Sequence, residues 1–344
     1  MNTHDNLKAD IIIYSVTYFN VSKIYPNNTA LILMTAHYQL SNKRFFKCIT
    51  KNKNGETKTS ISTFKSAYQN VGPCLMHTFI ASCPTISNPT SIYVTASHKS
   101  DIIKLPLRYA NAERLPIVSC VSSLYFAERW QIIAINIEWY SYFGVNRQGY
   151  YLISAMEGIY ELLKAYEKLK MIDIHHWNIP DIPELNSRQE LDSRDIAGSL
   201  NDCYINYREA ADFIIVHDVD DLIYIKQGAP FYPAFKQHWQ EFPLTKTLNL
   251  TARTVEMEAE NGYEKFSMLN TFQTMNVLPE RIYGKSIYNT SLIESVWIHW
   301  PTEFDKRLKS MTLDEKDAVL IHARTFKFGK YNQTKIGKIV SRNF

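Results

Sequence analysis

One stretch constrains this chain more than any other: Ala211-Asp212-Phe213-Ile214-Ile215-Val216-His217-Asp218-Val219-Asp220-Asp221-Leu222-Ile223. Four apolar residues run into three carboxylates and then back into apolar residues. Phe213 to Val216 is short, uncharged and rich in β-branched residues, so it reads as a buried strand of the parallel type. Asp218 and Asp220 are two apart and share one face if the chain stays extended. Two carboxylates at a strand end suit a hard divalent cation that keeps open positions for phosphate oxygens. The plainer reading is a loop whose acids cap a following helix. Leu222-Ile223-Tyr224-Ile225 argues against it, because it reads as more strand. His217 alternates to the face opposite Asp218 and reads as packed.

A strand of that kind needs parallel neighbours, and the preceding hundred residues supply them. Ile117-Val118-Ser119-Cys120-Val121 is a short buried strand. A helix follows from Ala127, with Ile133, Ile137 and Tyr140 on one face and Gly144 at its end. Gly149 to Ile153 is a second strand. Ser154 is placed to cap a helix carrying Met156, Ile159, Tyr160 and Leu163. Met171 to Ile174 is a third strand, ending at His175-His176-Trp177. A further helix carries Ile196, Leu200, Cys203, Tyr204, Tyr207 and Ala211 and leads into the opening stretch. Strands alternating with helices imply right-handed crossovers and ligand sites at the strands' carboxyl ends. The fold class expected is therefore α/β.

Residues 1 to 112 read differently. Ile11 to Val16, Ala30 to Tyr38 and Ile92-Tyr93-Val94 are strand-like, separated by turn clusters such as Tyr25-Pro26-Asn27-Asn28. This is a small β-rich domain, with a linker at Tyr109 to Arg114. Residues 113–325 form the α/β domain and 326–344 a basic tail. Phe266 to Met275 reads as short strands.

Length permits one large or two medium cores. A net charge of +4 on 344 residues, with no basic block, gives no case for nucleic acid. The five cysteines contain no C-x-x-C, which speaks against structural zinc. Cys74 and Cys83 are close enough in sequence for a loop-closing disulfide. No apolar run reaches the roughly 18 residues of a membrane span, and Met1 to Asp10 has no signal-peptide core. Five N-x-S/T sequons, at Asn20, Asn27, Asn249, Asn289 and Asn332, favour a secretory-pathway protein.

Gly284-Lys285-Ser286 resembles the end of a phosphate-binding loop, but the earlier glycine such a loop needs falls on Pro279, which excludes it. With only 11 glycines in the chain, phosphate has to be held by metal and cations. Lys285, His322 and Arg324 are the candidates. His299, between Trp297 and Trp300, reads either as a packed histidine or, beside Asp-x-Asp, as a third metal ligand. Asp202 falls beside an apolar helical stripe and needs a partner, either Arg208 or a nucleotide.

These pieces together resemble glycosyltransferase family 92. The resemblance is carried by Cys120-Val121-Ser122-Ser123-Leu124-Tyr125, Ile137-Glu138, Phe143-Gly144-Val145, Trp177-x-x-Pro180, Asn201-Asp202-Cys203, Asp218-Val219-Asp220-Asp221, Gly284-Lys285-Ser286-Ile287 and His299. It covers about residues 116 to 325. The chain departs from the family's pattern at Ser123, Phe126 and Asp221, and it has no membrane anchor.

The resemblance implies a GT-A fold, Rossmann-like with a mostly parallel sheet and flanking helices. It implies an inverting, metal-dependent transferase using UDP-galactose and a glycan or glycoprotein acceptor, usually of type II Golgi membrane topology. Asp218, Asp220 and His299 would then hold Mn²⁺ or Mg²⁺. Val121, Ser122, Ser123, Asp202, Asp221 and Lys285 would face the nucleotide sugar. Glu256 or Glu258 would act as base, and Trp239, Trp297 or Trp300 would stack on acceptor sugar. Two other readings stay open. One is another Mg²⁺- or Mn²⁺-dependent nucleotide-processing enzyme, and the other is a non-catalytic, glycan-binding relative.

Overall fold

The computed structural model describes residues 11–37, 46–68, 74, 76–95, 101–179, 191, 194–299, 307–328 and 339–340. They fall into two compact units. One comprises Met1–Arg114, Ile179–Ala210 and Thr290–Trp297; the other comprises Leu115–Asn178, Ala211–Asn289 and Ile298–Phe344.

The first unit holds nine strands: β1 (Ile11–Phe19), β2 (Thr29–His37), β3 (Lys47–Asn52), β4 (Thr57–Ile61), β5 (Thr63–Ser66), β6 (Met76–Pro84), β7 (Pro89–Thr95), β8 (Ile103–Leu105) and β9 (Leu107–Tyr109). They form a five-stranded sheet, β5-β6-β2-β1-β9, and a four-stranded sheet, β4-β3-β7-β8. Ile32, Met34, Phe79 and Ala81 of the first meet Cys48, Ile92, Val94 and Leu105 of the second in one core. Eight of the nine residues of β2 are buried, because the helix Ile196–Tyr207 covers the other face of its sheet. A disulfide joins Cys48 on β3 to Cys83 on β6 and so ties the two sheets together. This corrects the Cys74–Cys83 reading: Cys83 faces the opposite sheet, where Cys48 is its neighbour across the core.

The second unit holds β10 (Ile117–Leu124), β11 (Arg147–Leu152), β12 (Ala155–Met156), β13 (Ile172–His176), β14 (Phe213–His217), β15 (Asp221–Ile225), β16 (Thr245–Asn249), β17 (Ala252–Ala259), β18 (Asn276–Ile282), β19 (Ser286–Asn289), β20 (Lys309–Thr312), β21 (Ala318–Phe328) and β22 (Ile339–Val340). The main sheet runs β13-β11-β10-β14-β19-β16-β20. Its first four strands are parallel, and the helices Trp130–Tyr142 and Glu157–Lys168 cross over between them. β19 is antiparallel to both its neighbours, so the sheet is mixed and the fold is α/β. A second mixed sheet, β15-β21-β17-β18, shares a core with the main one through Phe213, Ile215, Ile223, Val255, Met257 and Leu320.

Local expectations fail where a side chain has another use. The first helix begins at Trp130, since Ala127 is bridged to Ala155. Ser154 caps nothing; its hydroxyl accepts from Phe126 N at 2.9 Å, and Met156 is the N-cap of the next helix. The stretch read as strands at 266–275 is the helix Met268–Gln273, started by Ser267, whose side chain accepts from Asn270 N. The helix that begins at Ile196 stops at Tyr207, short of Ala211. β21 runs past residue 325 to Phe328, because it pairs with β17 to Ala259. Among the described residues no helix is long and apolar enough to cross a membrane.

Candidate active site

In the parallel half of the main sheet the strands stand in chain order third, second, first, fourth, so the winding reverses between β10 and β14. An open α/β sheet binds ligands at such a reversal, outside the carboxyl ends of the strands. One hydrogen bond spans the gap there: Ser122 Oγ, near the end of β10, donates to Asp218 Oδ1, just past β14. Val121 is buried on β10 opposite His217, and Ser123 is half-buried.

The acidic run is a turn, not an extended strand. Asp221 N donates to Asp218 O at 3.0 Å, and Asp218 N donates to Asp221 Oδ2 at 3.0 Å. The chain therefore reverses between β14 and β15, and Asp218 and Asp220 are not two residues on one strand face. Asp218 is tied to Lys285, whose Nζ lies 2.7 Å from Oδ2. Burial alone would raise the Asp218 pKa, but Lys285 and the Ser122 hydroxyl outweigh it and hold the carboxyl below its usual range. Burial likewise works against the Lys285 ammonium, and Asp221 and Asp218 outweigh it in turn.

Asp220 and Asp221 converge on His322 instead. His322 Nδ1 lies 2.8 Å from Asp221 Oδ1 and 4.0 Å from Asp220 Oδ1. A donor atom from each of the three residues lies within 4.8 Å of the others. Donors around a cation at 2.0–2.1 Å stand about 3 Å apart when adjacent and about 4.2 Å apart when opposite. Two carboxylates and an imidazole at these spacings therefore fit a small divalent ion such as Mn²⁺ or Mg²⁺. Burial, then repulsion from Asp221, pushes Asp220 up to about 6, the response of a carboxylate held close to another.

His322 is brought here by strand pairing: it is the register partner of Asp221 across β15 and β21 and of Thr254 on β17, and the register breaks only beyond it. Between the pairs Thr254↔His322 and Glu256↔Thr325, two steps along β17 oppose three along β21. The extra residue is a bulge, a feature that re-aims side chains beside sites.

His299 lies within electrostatic reach of Lys285, Asp218 and Asp221, and burial, then Lys285, lowers its pKa. Its Nδ1 is 3.0 Å from Gly284 O, and it is not part of the convergent trio. Gly284 is sterically required, since a Cβ there would lie 1.5 Å from Leu250 O. His217 is packed against Tyr140, ring centroids 4.1 Å apart, and burial lowers its pKa to about 4.

The remaining candidates scatter. Asp202 belongs to the first unit, where Arg108 grips both its oxygens at 2.6 and 3.0 Å and Ser15 donates at 2.5 Å. Arg108 and Ser15 are thus its protein partners in this unit, in place of the expected Arg208. Trp297 is in the same unit, stacked on Tyr68 at 4.3 Å. Trp239 is 6% exposed, stacks on Phe213 and donates to Thr245 O, so it is part of the core. Trp300 and the side chain of Arg324 lie outside the described residues. Glu256 and Glu258 point away from the core side of β17; Glu256 is half-buried beside Lys327, and Glu258 is exposed.

The model for glycosyltransferase family 92 matches residues 116–343. The chain belongs to that family. It is 24% identical over 321 residues to the family 92 protein F13G3.3 of Caenorhabditis elegans, covering 92% of this chain and 62% of that one. It is 25% identical over 341 residues to F59C6.8 of the same organism, covering 95% and 65%. The chain thus spans somewhat under two thirds of the length of these relatives.

Sequence reading missed what holds the acidic turn in shape. From the helix Trp130–Tyr142, Asn136 Nδ2 donates to Val219 O at 2.9 Å, Tyr140 Oη to Asp221 O at 3.0 Å and Trp139 Nε1 to Ile223 O at 2.8 Å. Tyr150 Oη in turn fixes Asn136 Oδ1 at 2.8 Å. The available signal was Asn136 itself, a poor helix former flanked by the apolar Ile135 and Ile137.

Proposed function

We propose that this chain is an inverting, divalent-metal-dependent glycosyltransferase of GT-A architecture. It moves a hexose, galactose from UDP-galactose, onto a glycan acceptor in the Golgi or an earlier secretory compartment. Family membership supports transfer chemistry. The observation that carries the metal assignment is the convergence of Asp220, Asp221 and His322 beside the strand reversal.

In this reading Asp220, Asp221 and His322 hold the ion, in place of the set Asp218, Asp220 and His299. Bound there, Mn²⁺ would supply Lewis-acid neutralisation of charge on the leaving diphosphate. Val121, Ser122 and Ser123 line the uridine side at the end of β10. Lys285, buried and anchored by Asp218, adds a fixed positive charge to the donor subsite. Glu256 is the preferred base over Glu258, because it lies one strand repeat from Thr254, the register partner of His322. It takes the proton of the acceptor hydroxyl as the new glycosidic bond forms, and the electron pair of the breaking bond leaves on the diphosphate oxygen. Attack from the face opposite the leaving group inverts the anomeric centre.

The test is a donor screen on purified protein with Mn²⁺, run beside Asp220→Ala. UDP-galactose turnover that is lost in the variant is expected. Activity surviving Asp220→Ala would refute the metal assignment, and no turnover or binding of any UDP-sugar would refute the transferase reading.

A further inference from the structure

The sequons play no part in the proposed activity; Asn332 lies outside the described residues, and the surroundings of the other four divide them into two classes. We propose that the loop joining β1 and β2 is a two-site N-glycosylation platform, with glycans on Asn20 and Asn27, while Asn249 and Asn289 remain unmodified.

An N-glycan is bulky and hydrated, so a folded chain tolerates one only where the asparagine side chain faces water. Asn20 and Asn27 are both exposed. The loop between them is nonetheless held firmly, and by other residues. Asn28 N donates to Asn20 O at 3.1 Å and so closes the loop, with Asn28 in the left-handed region at φ 58°. Tyr18 Oη donates to Asn28 Oδ1 at 2.6 Å. Ser22 Oγ donates to Glu209 Oε1 at 2.7 Å, and Lys23 Nζ donates to Arg208 O at 2.9 Å. A long 3.4 Å approach of Tyr18 Oη to the Asn20 side chain meets its amide oxygen and not the nitrogen that bears sugar. Val21, 65% exposed beside Asn20, is apolar surface that a glycan there would shade.

Asn249 and Asn289 meet the sequon rule but sit on interior strands of the main sheet. β16 lies between β19 and β20, and β19 lies between β14 and β16. Asn249 Oδ1 is 2.9 Å from Ser286 Oγ, and Asn289 is in register with Phe213. Both are only partly exposed, unlike Asn20 and Asn27, and leave less open surface for a sugar.

The compartment is consistent. The Cys48–Cys83 disulfide persists in oxidising surroundings, which is where sequons are modified. In the modification, Asn Nδ2 forms a bond to C1 of a lipid-pyrophosphate-linked oligosaccharide. The C1–O bond breaks with its electron pair leaving on the pyrophosphate, and the amide proton is released.

The experiment is expression of the full chain in insect cells behind a cleavable secretion signal. The glycans are then removed by peptide N-glycosidase in heavy-oxygen water, and the peptides are read by mass spectrometry. Heavy aspartate is expected at positions 20 and 27 and absent from 249 and 289. Asn20→Gln and Asn27→Gln should each remove one step in gel mobility. Label at only one loop position, at neither, or at Asn249 or Asn289 overturns the assignment. The readout is independent of catalysis, so it separates from any failure of the transferase reading.

Discussion

Asp221 is fully buried, and a buried carboxylate requires donors or an ion around it. Asp218 N and Lys285 serve Oδ2, at 3.0 and 3.5 Å, which leaves Oδ1 to His322 and a cation. Asp218 has the opposite arrangement: Ser122 and Lys285 take one oxygen each. Four neighbouring acids and bases are thus sorted by their partners and not by their order in the motif. Asp220→Asn, Asp221→Asn and His322→Ala should each weaken Mn²⁺ binding by about 10-fold or more, the scale on which ligand and outer-shell changes act. Asp218→Asn should weaken it far less. Titration calorimetry with Mn²⁺ and UDP decides this, and equal losses in all four variants would return Asp218 to the metal.

At the scale of elements, the acidic turn owes its shape to a helix about 80 residues upstream. Asn136 and Tyr140 hold carbonyls inside the turn that the turn itself leaves without partners. Asn136→Ala leaves the part-buried Val219 carbonyl without its donor, a loss of about 1 kcal/mol. A lower melting temperature together with weaker Mn²⁺ affinity is expected; a melting change with unaltered affinity would show that the helix does not shape the site. The parallel strands β10, β11, β13 and β14 were legible in the sequence because a strand covered on both faces is a short apolar run. The turn at 218–221 was not, since a continuing strand and a tight reversal share the same composition there. Its determinants are a reciprocal bond and distant side chains. His322 was legible only as a cation near phosphate. Its place opposite Asp221 depends on the pairing of β15 with β21, and register between distant strands leaves no local trace. Trp239 shows a related limit: exposed aromatic platforms and core aromatics look alike until their neighbours are known.

On the scale of the whole molecule, the first unit contains a group that makes its stability depend on pH. Asp195 is 3% exposed, with Thr35 and Thr78 hydroxyls 3.3 and 3.4 Å from Oδ1. Burial, opposed by Tyr14, Thr35 and Thr78, pushes its pKa up to about 7. The folded state therefore keeps a proton that the unfolded chain releases near 3.9. The contribution is complete below that value and falls by up to about 1.4 kcal/mol per pH unit until about pH 7. Asp195→Asn, which holds the uncharged shape at every pH, should flatten the decline of melting temperature between pH 5 and 7.5. An unchanged slope would exclude Asp195 as its source. The same unit is assembled from three stretches of chain, the last ending at Trp297. The helix Ile196–Tyr207 ends 93 residues past Arg114, so a ribosome adding about 5–20 residues per second delivers it roughly 5 to 20 s later. Through that interval the strands made first wait without their helix Ile196–Tyr207, and the face of β2 that the helix covers stays wet. The nascent chain is then a client for chaperones, and its earliest loop, Asn20 to Asn28, remains open to modifying enzymes before the fold closes around it.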